Sequence, residues 1–404
     1  MKILLITQHF PPEKSGGTGR PFSLYKYLPE HGVEPVVLTM DSYGKMGVEA
    51  DVYRARSIMS WKGKKPLFYN SLRSIKVLNA IIPTMDLIWE RSAAGKAQGI
   101  FSSHRIGLVY ATYPSMSAIR LGLKISKKFN IPLITEFRDG LIYEPLFRFN
   151  PLSLLWTTRF ERRLIAASSA VITIGNELSR YFAEHYGLKN VHTVHNGYDR
   201  NDFTLMAAPG REKNCVFRVA HFGSLKTSRA RKSSYLFDAI ARLKKNDNIS
   251  SERFELSFFG NFLESEKKLI ADLGIEDLVK FHAPVSKKEG FRLLQSDFDA
   301  LLFVGAEGSK TIVSSKLPEY LYLGKPIIGV CKGNEAARII ERSGTGEVCD
   351  FDVASIYCLL KKALSGEINF APVEAEIKKF DRAGQAARIS GIIKEVVAGK
   401  EKGL

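Results

Sequence analysis

Short apolar segments of strand length recur along the chain and alternate with helical segments, and this alternation restricts the possible folds more than any other feature. The first strand is predicted at Lys2–Thr7, which is apolar on both faces. A helix over Pro21–Leu28 and a second strand over Val36–Thr39 follow it. Strand, helix and strand in this order predict a doubly wound parallel sheet. Further strands are predicted within 106–112, 131–139, 170–174, 216–225, 254–260, 279–285 and 300–304.

Length and composition predict a globular protein with more than one core. At 404 residues, 45% hydrophobic and 25% charged, the chain is long enough for two or three domains. Its four cysteines contain no C-x-x-C pair. This argues against a zinc site and against a disulfide framework, and it favours a reducing compartment.

Positive charge is concentrated in the first half of the chain. Residues 1–200 contain 27 Lys and Arg against 15 Asp and Glu, a net charge of +12 out of +17 for the whole chain. Such a balance indicates an anionic partner, such as lipid headgroups, a polyphosphate carrier or nucleic acid, and a merely solvated basic surface is the alternative. Since no nucleic-acid-binding motif accompanies the charge, we expect no nucleic acid partner.

A segment that mixes lysines with aromatic residues is a candidate for contact with a membrane. Within Trp61–Tyr69, the lysines Lys62, Lys64 and Lys65 stand beside aromatic side chains, as in an interfacial patch. The alternative is a helix that packs its apolar side on the domain core. No apolar run reaches about 18 residues and no secretory signal sequence is visible. We therefore expect a cytoplasmic protein that binds the inner face of the membrane peripherally.

The stretch Ser314–Gly329 has the features of a phosphate-binding helix. Ser314 and Ser315 are suited to an N-cap, a helix follows, and Gly324 is expected to end it. A helix N-terminus binds anions through its free N–H groups, and Lys316 would add a cation there. Glu319, one turn further, could accept hydrogen bonds from ribose hydroxyls. The alternative is an ordinary surface helix that leads into a buried strand.

A second basic turn is predicted to bind a diphosphate. Gly223 and Ser224 end a predicted strand, and Arg229 and Arg231 follow them before a helix. Charge-assisted hydrogen bonds and the helix dipole would favour a diphosphate at this turn. A solvated basic turn is the alternative.

In the first half, an Arg-Asp pair ends a predicted strand. Arg138 and Asp139 follow 131–137, and active sites of open α/β sheets lie at the carboxyl ends of strands. The pair is therefore either part of a cleft site or a local salt bridge. The glycines at 16, 17 and 19 do not fit the dinucleotide-binding pattern G-x-G-x-x-G, so we do not expect a dinucleotide-binding dehydrogenase.

Three motifs of the sequence resemble those of glycosyltransferase family 4, in particular its branch that builds bacterial surface polysaccharides and lipopolysaccharide. They are S-K-L-P-E-Y-L-Y-L-G-K-P-I from Ser315, I-P-L-I-T-E-F-R-D from Ile131 and H-N-G-Y-D from His195. The resemblance extends over nearly the full length. It implies the GT-B fold, in which two Rossmann-like doubly wound domains face each other across a cleft. We expect an acceptor-binding domain over 1–203, a nucleotide-sugar-binding domain over 204–380, and a last helix over 381–404 that crosses back to the first domain.

The resemblance also implies an activity, that of a hexosyltransferase-type enzyme that retains anomeric configuration without a metal. The donor would be a nucleotide-diphosphate sugar, bound as a substrate and not as a cofactor, and the acceptor a glycan or a lipid-linked molecule. The family role of Glu319 would be ribose binding, and that of the turn before it diphosphate binding. Gly16 and Gly17 would form an acceptor or phosphate loop, although a plain mobile loop is the alternative. The D-x-D at Asp297–Asp299 precedes a buried strand and is interpreted as its polar start, not as a metal site.

Two departures from the family pattern leave the catalytic residues open. Many members have a histidine where this chain has Arg138, and a glutamate eight residues before Glu319, where it has Thr311. The nearest upstream acid is Glu307, so the catalytic candidates are Arg138, Asp139, Glu307 and Lys316. Because of these departures, a catalytically silent nucleotide-sugar-binding subunit and a nucleotide-sugar 2-epimerase remain alternatives.

Overall fold

The chain forms two compact units, each built on one parallel sheet. A computed structural model describes residues 1–13, 15–41, 51–57, 86–145, 149–203, 216–223 and 234–402. The first unit comprises Met1–His195 and Arg382–Leu404, and the second comprises Asn196–Asp381. The first unit thus ends at His195 and not at the expected residue 203, and the last helix groups with the first unit. The predicted fold class, two doubly wound α/β domains, is confirmed.

The strands and helices are numbered in chain order over the described residues. The strands are β1 (Lys2–Ile6), β2 (Glu34–Met40), β3 (Val52–Ala55), β4 (Ile106–Tyr113), β5 (Leu133–Phe137), β6 (Ala170–Thr173), β7 (Val191–Thr193), β8 (Phe217–Phe222), β9 (Phe254–Phe259), β10 (Val279–His282), β11 (Ala300–Val304), β12 (Ile327–Val330) and β13 (Gly346–Cys349). The helices are α1 (Gly19–Tyr27), α2 (Leu87–Ser103), α3 (Met116–Phe129), α4 (Pro151–Ala167), α5 (Asn176–Tyr186), α6 (Ser234–Asp247), α7 (Glu264–Asp272), α8 (Lys287–Ser296), α9 (Lys316–Leu323), α10 (Glu335–Ser343), α11 (Val353–Leu364), α12 (Glu374–Lys378) and α13 (Arg382–Lys402).

In the first unit, the strand order is β3-β2-β1-β4-β5-β6-β7. The order reverses between β1 and β4, and such a switch point is where ligands bind in open α/β sheets. Alternate residues of each strand enter different cores, because successive side chains point to opposite faces. In β1, Leu4 and Ile6 pack with helices α2 to α5, whereas Ile3 and Leu5 pack with α1 and α13.

The second unit repeats this plan with the order β10-β9-β8-β11-β12-β13, which reverses between β8 and β11. Val219 of β8 faces the core formed with α6 and α11, and Ala220 faces the core formed with α8, α9 and α10. Both ends of this unit lie side by side, because Tyr198 forms a parallel β-bridge with Asp381. Arg200 strengthens the contact with an ion pair to Asp381 at 3.0 Å.

Most predicted elements are present within a few residues of their expected ends, and the ends of α9 illustrate this. Gly324 ends α9 with φ at 65°, as expected of a helix-terminating glycine. Of the two serines expected to cap α9, only Ser314 does so. Its Oγ accepts a hydrogen bond from the Lys316 backbone nitrogen at 3.4 Å, whereas Ser315 has helical backbone angles and makes no capping hydrogen bond. A residue already in the helical region directs its hydroxyl away from the free N–H groups, which explains why Ser315 does not cap the helix.

No helix in the described part of the chain combines the length and the apolar character that a membrane span requires.

In the D-x-D segment, the Asp299 carboxylate accepts a hydrogen bond from the Arg218 backbone nitrogen at 2.8 Å. Asp299 thus connects the start of β11 to the start of β8. This agrees with the interpretation of the D-x-D segment as the polar start of a strand.

Candidate active site

The second unit positions Lys316 at the switch point of its sheet. Gly223 follows β8 with φ at 109°, a value that favours glycine. A Cβ atom at Gly223 would lie 1.9 Å from Lys316 Nζ, so the ammonium group rests directly on the glycine backbone. The structure therefore brings together two residues that the sequence analysis had assigned to diphosphate binding from separate motifs.

Helix α9 is held against the end of β8 by its own tyrosine. The backbone N–H of Phe222 donates to Tyr320 Oη at 2.8 Å, and Tyr320 is buried. Leu317 and Leu321 anchor the same helix in the core. Because three side chains fix the helix, Lys316 and Glu319 on its first turn have defined positions relative to β8.

His221 is a buried neighbour of Lys316 that the sequence analysis did not single out. Its Nδ1 lies 3.0 Å from the Leu302 carbonyl oxygen. Burial, and then the positive charge of Lys316, lower the pKa of His221 to about 3. The imidazole is therefore neutral at physiological pH and adds no charge beside the ammonium group.

Glu319 is paired with Lys287, the first residue of α8. Lys287 Nζ lies 2.7 Å from Glu319 Oε1 and also 2.7 Å from Asp202 Oδ2. Burial alone would lower the pKa of Lys287, but the two carboxylates outweigh it and raise the pKa. A carboxylate has two oxygens and about four acceptor sites, and the ion pair with Lys287 uses one of the two oxygens of Glu319.

Lys287 and Asp202 are two further residues of the site that the sequence analysis missed. Asp202 belongs to a short 3-10 turn, Arg200–Asp202, and Lys287 follows it by 85 residues. The sequence feature that could have indicated Lys287 is Ser286, whose hydroxyl caps α8 by accepting a hydrogen bond from the Glu289 backbone nitrogen. It predicts a helix that begins with a lysine directly after the strand predicted within 279–285.

The loop between β11 and α9 has no carboxylate at the position that many family members fill. Thr311 is buried and Glu307 is exposed. Gly305 lies against Asn334, since a Cβ there would be 2.6 Å from Asn334 Nδ2. Glu307 accordingly remains a prediction for contact with the transferred sugar.

In the first unit, Arg138 lies beneath the glycine loop. Its Nη1 donates to the Gly17 carbonyl oxygen at 2.6 Å, and its Nε donates to the Tyr113 carbonyl oxygen at 3.1 Å. Burial lowers the pKa of Arg138, although Glu136 and Asp139 act in the opposite direction. The structure thus joins Gly17 and Arg138, which the sequence analysis had proposed separately, and Gly16 is exposed beside them.

A buried ion pair supports this edge of the sheet from below. Arg20 and Glu136 are both buried and lie 2.9 Å apart. Burial by itself would raise the pKa of Glu136, but Arg20 and Arg138 outweigh this effect and lower it. Arg20 also donates to Gln385 of α13 at 3.2 Å. The ion pair therefore fastens the last helix to the strand that carries Arg138.

Several predicted residues lie outside the described residues. They are Ser224, Arg229 and Arg231 of the expected diphosphate turn, and Trp61–Tyr69 with Lys62, Lys64 and Lys65 of the expected membrane patch.

Known proteins resemble this chain in sequence over its first half and in fold over nearly all of it. Residues 16–202 match the sequence model of Glycosyltransferase Family 4. No curated protein sequence matches the chain.

Three solved structures illustrate the likeness in fold. Anabaena HepE in complex with UDP is 16% identical with a TM-score of 0.65, over 98% of this chain and 100% of its own. The lipopolysaccharide outer core galactosyltransferase WaaB, in its apo form, is 15% identical with a TM-score of 0.64, over 98% and 99%. A UDP-N-acetylglucosamine 2-epimerase is 12% identical with a TM-score of 0.54, over 99% and 96%. At these identities the likeness shows the fold alone, the GT-B type of two doubly wound domains.

Proposed function

Residues 16–202 belong to glycosyltransferase family 4, which confirms the prediction of a glycosyltransferase, and from this premise we propose a specific reaction. The enzyme transfers a hexose from a nucleotide-diphosphate donor to a glycan or lipid-linked acceptor in cell-surface polysaccharide synthesis. It retains the anomeric configuration, needs no metal or other cofactor, and works on the cytoplasmic face of the membrane. Retention and independence of metal rest on the family resemblance.

One observation carries the donor assignment: Lys316 rests on Gly223 at the switch point of the second sheet, with Glu319 one turn further along α9. A cation there would stabilise the diphosphate as it leaves and gains negative charge, which is the task of Mg²⁺ in metal-dependent transferases. Glu319 would accept hydrogen bonds from the ribose. The UDP bound to HepE, a protein of the same fold, supports a nucleoside diphosphate as the ligand.

In the first unit we assign acceptor binding to the edge where Arg138 supports the loop of Gly16 and Gly17. Asp139 would orient acceptor hydroxyls there, and in the second unit Glu307 would contact the transferred sugar. The positive charge of the first 200 residues supports an anionic or phosphate-bearing acceptor.

The donor assignment is tested by thermal unfolding in EDTA with a panel of nucleotides and nucleotide-sugars. A ligand at 100 times its Kd should stabilise the wild type by about 2.7 kcal/mol. We expect a response to one nucleoside diphosphate family that is lost in Glu319→Ala. The control Glu264→Ala removes an exposed carboxylate of the same unit and should respond like the wild type. A Glu319→Ala variant that is stabilised as strongly as the wild type would refute the assignment.

The two alternatives differ from transfer in their products. A 2-epimerase would convert the nucleotide-sugar without any acceptor, and a silent binding subunit would leave it unchanged. NMR of the donor that responds in the thermal assay, incubated with membrane extract as acceptor source, distinguishes the three outcomes. It also reports the anomeric configuration of the product.

A further inference from the structure

Exposed apolar side chains of the first unit are concentrated at the beginnings of two helices. In α2 these are Leu87 (53% exposed) and Ile88 (49%), and in α4 they are Leu152 (78%), Leu154 (42%) and Leu155 (50%). Among the described residues of this unit, only Met1 is a further large apolar side chain of comparable exposure. Single exposed leucines are common, but five in the first turns of two helices form an unusual concentration.

The two clusters lie at the same edge of the sheet. Helix α2 ends at Ser103 just before β4 begins, and α4 ends at Ala167 just before β6 begins. Each has 17 residues and is therefore about 25 Å long, so each begins at the opposite edge, where the parallel strands have their carboxyl ends.

Helix α3 lies between α2 and α4 and connects them. Its Arg120 donates to Glu90 of α2 at 3.1 Å and lies over the Trp156 ring of α4 at 5.4 Å. The two apolar clusters thus belong to one layer of three neighbouring helices, on one face of the sheet.

Arginines follow the apolar residues at the same spacing in both helices. Arg91 stands four residues after Leu87, and Arg159 stands four residues after Leu155, all of them exposed. Residues four apart share one side of a helix and are offset by about 6 Å along it. Neither arginine forms an ion pair within the described part of the chain. Arg162 and Arg163 continue the basic surface of α4.

We infer that the first turns of α2 and α4 form a membrane-docking surface for an anionic lipid bilayer. The apolar side chains would enter the boundary between headgroups and acyl chains, and Arg91 and Arg159, one turn further back, would lie at the level of the phosphates. An acidic protein would complement the arginines equally well. On both helices, however, the apolar groups come first and the cations follow one turn later. A bilayer requires this order, because its apolar layer lies beneath its charged headgroups, whereas an acidic protein does not.

This surface rests on the proposed function, because it adds a place of docking for an enzyme with a membrane-bound acceptor. It lies at the carboxyl edge of the sheet, the same edge at which Arg138 and Gly17 meet. Docking through it would bring that edge, and not the opposite one, towards the lipid.

The inference is tested by co-sedimentation of the full chain with vesicles of phosphatidylglycerol and phosphatidylcholine, compared with vesicles of phosphatidylcholine alone. The wild type should bind the anionic vesicles and not the neutral ones. The triple variant Leu87→Gln, Leu152→Gln and Leu155→Gln should lose about tenfold or more in partitioning. The double variant Arg91→Gln and Arg159→Gln should lose about fivefold per arginine at low salt.

Matched substitutions in the second unit serve as controls. Leu263→Gln with Val373→Gln removes exposed apolar groups, Arg342→Gln removes an exposed cation, and all should bind like the wild type. Circular dichroism and the nucleotide response of each variant show that it is folded. Wild-type binding by the leucine variant, equal binding to neutral vesicles, or no vesicle binding by the wild type would each overturn the inference. The nucleotide response of the wild type tests the proposed function separately, whatever the vesicles show.

Discussion

Lys287 illustrates at the scale of single residues how the proposed donor site depends on a contact between residues far apart in the sequence. It donates to Glu319, the proposed ribose ligand, and to Asp202. Glu319 is only 15% exposed, so its carboxylate has lost most of its hydration and needs a cation nearby. Lys287 therefore fixes the orientation of the Glu319 carboxylate, which makes it a positioning residue in the proposed nucleotide site.

We predict that Lys287→Met lowers nucleotide affinity about tenfold, since a hydrogen bond to a charged group would be lost from the Glu319 carboxylate. Titration calorimetry with the nucleotide that stabilises the wild type measures this change. Lys287→Arg keeps the charge and should recover most of the affinity. Lys332→Met, which removes a lysine paired on the surface with Asp350 at 2.9 Å, should bind normally. Unaltered binding by Lys287→Met would show that Glu319 does not depend on it.

At the scale of secondary-structure elements, α13 is connected to the sheet of the first unit by the buried pair of Arg20 and Glu136. We predict that Arg20→Met destabilises this unit by about 3–5 kcal/mol, because it leaves a buried carboxylate without its cation. Urea unfolding can be followed by tryptophan fluorescence. The signal reports on the first unit alone, because that unit contains every tryptophan of the chain, Trp61, Trp89 and Trp156.

Adding Glu136→Gln to Arg20→Met removes the unpaired charge and should restore a large part of the lost stability. A loss below about 1 kcal/mol in the single variant would mean that water or another cation compensates Glu136.

The elements also show what could be predicted from the sequence. Strands such as Ala300–Val304 were predicted with their observed ends, because a short apolar run between polar segments has few alternatives. Which of Ser314 and Ser315 caps α9 was left open, since the backbone angles at Ser315 depend on how the preceding loop enters the helix. The pairs of Lys287 with Asp202 and of Arg20 with Glu136 join residues 85 and 116 positions apart. Only the packed fold brings such residues together, and no spacing rule predicts them.

At the scale of the whole molecule, we predict that stability depends on pH through His221. Its pKa of about 3 in the folded chain is lower than the 6.5 of an unfolded histidine, so unfolding takes up a proton at acidic pH. Its contribution is complete above pH 6.5 and declines as the pH falls towards 3. The second unit should lose about 2 kcal/mol between pH 8 and pH 5 from this residue alone.

Calorimetry over this pH range, compared with His221→Gln, measures the effect, and tryptophan fluorescence identifies the transition of the first unit. Removal of the imidazole should flatten the acid dependence of the other transition. An identical slope in the variant would assign the acid sensitivity to other groups.

The β-bridge between Tyr198 and Asp381 affects how the chain can evolve by recombination. Because the second unit begins and ends at neighbouring backbone positions, it is inserted into the first unit as a closed loop. Such a loop can be exchanged for another by recombination at two adjacent points, and the rest of the first unit keeps its path. The two units can therefore evolve as separate modules, each with its own sheet and its own core.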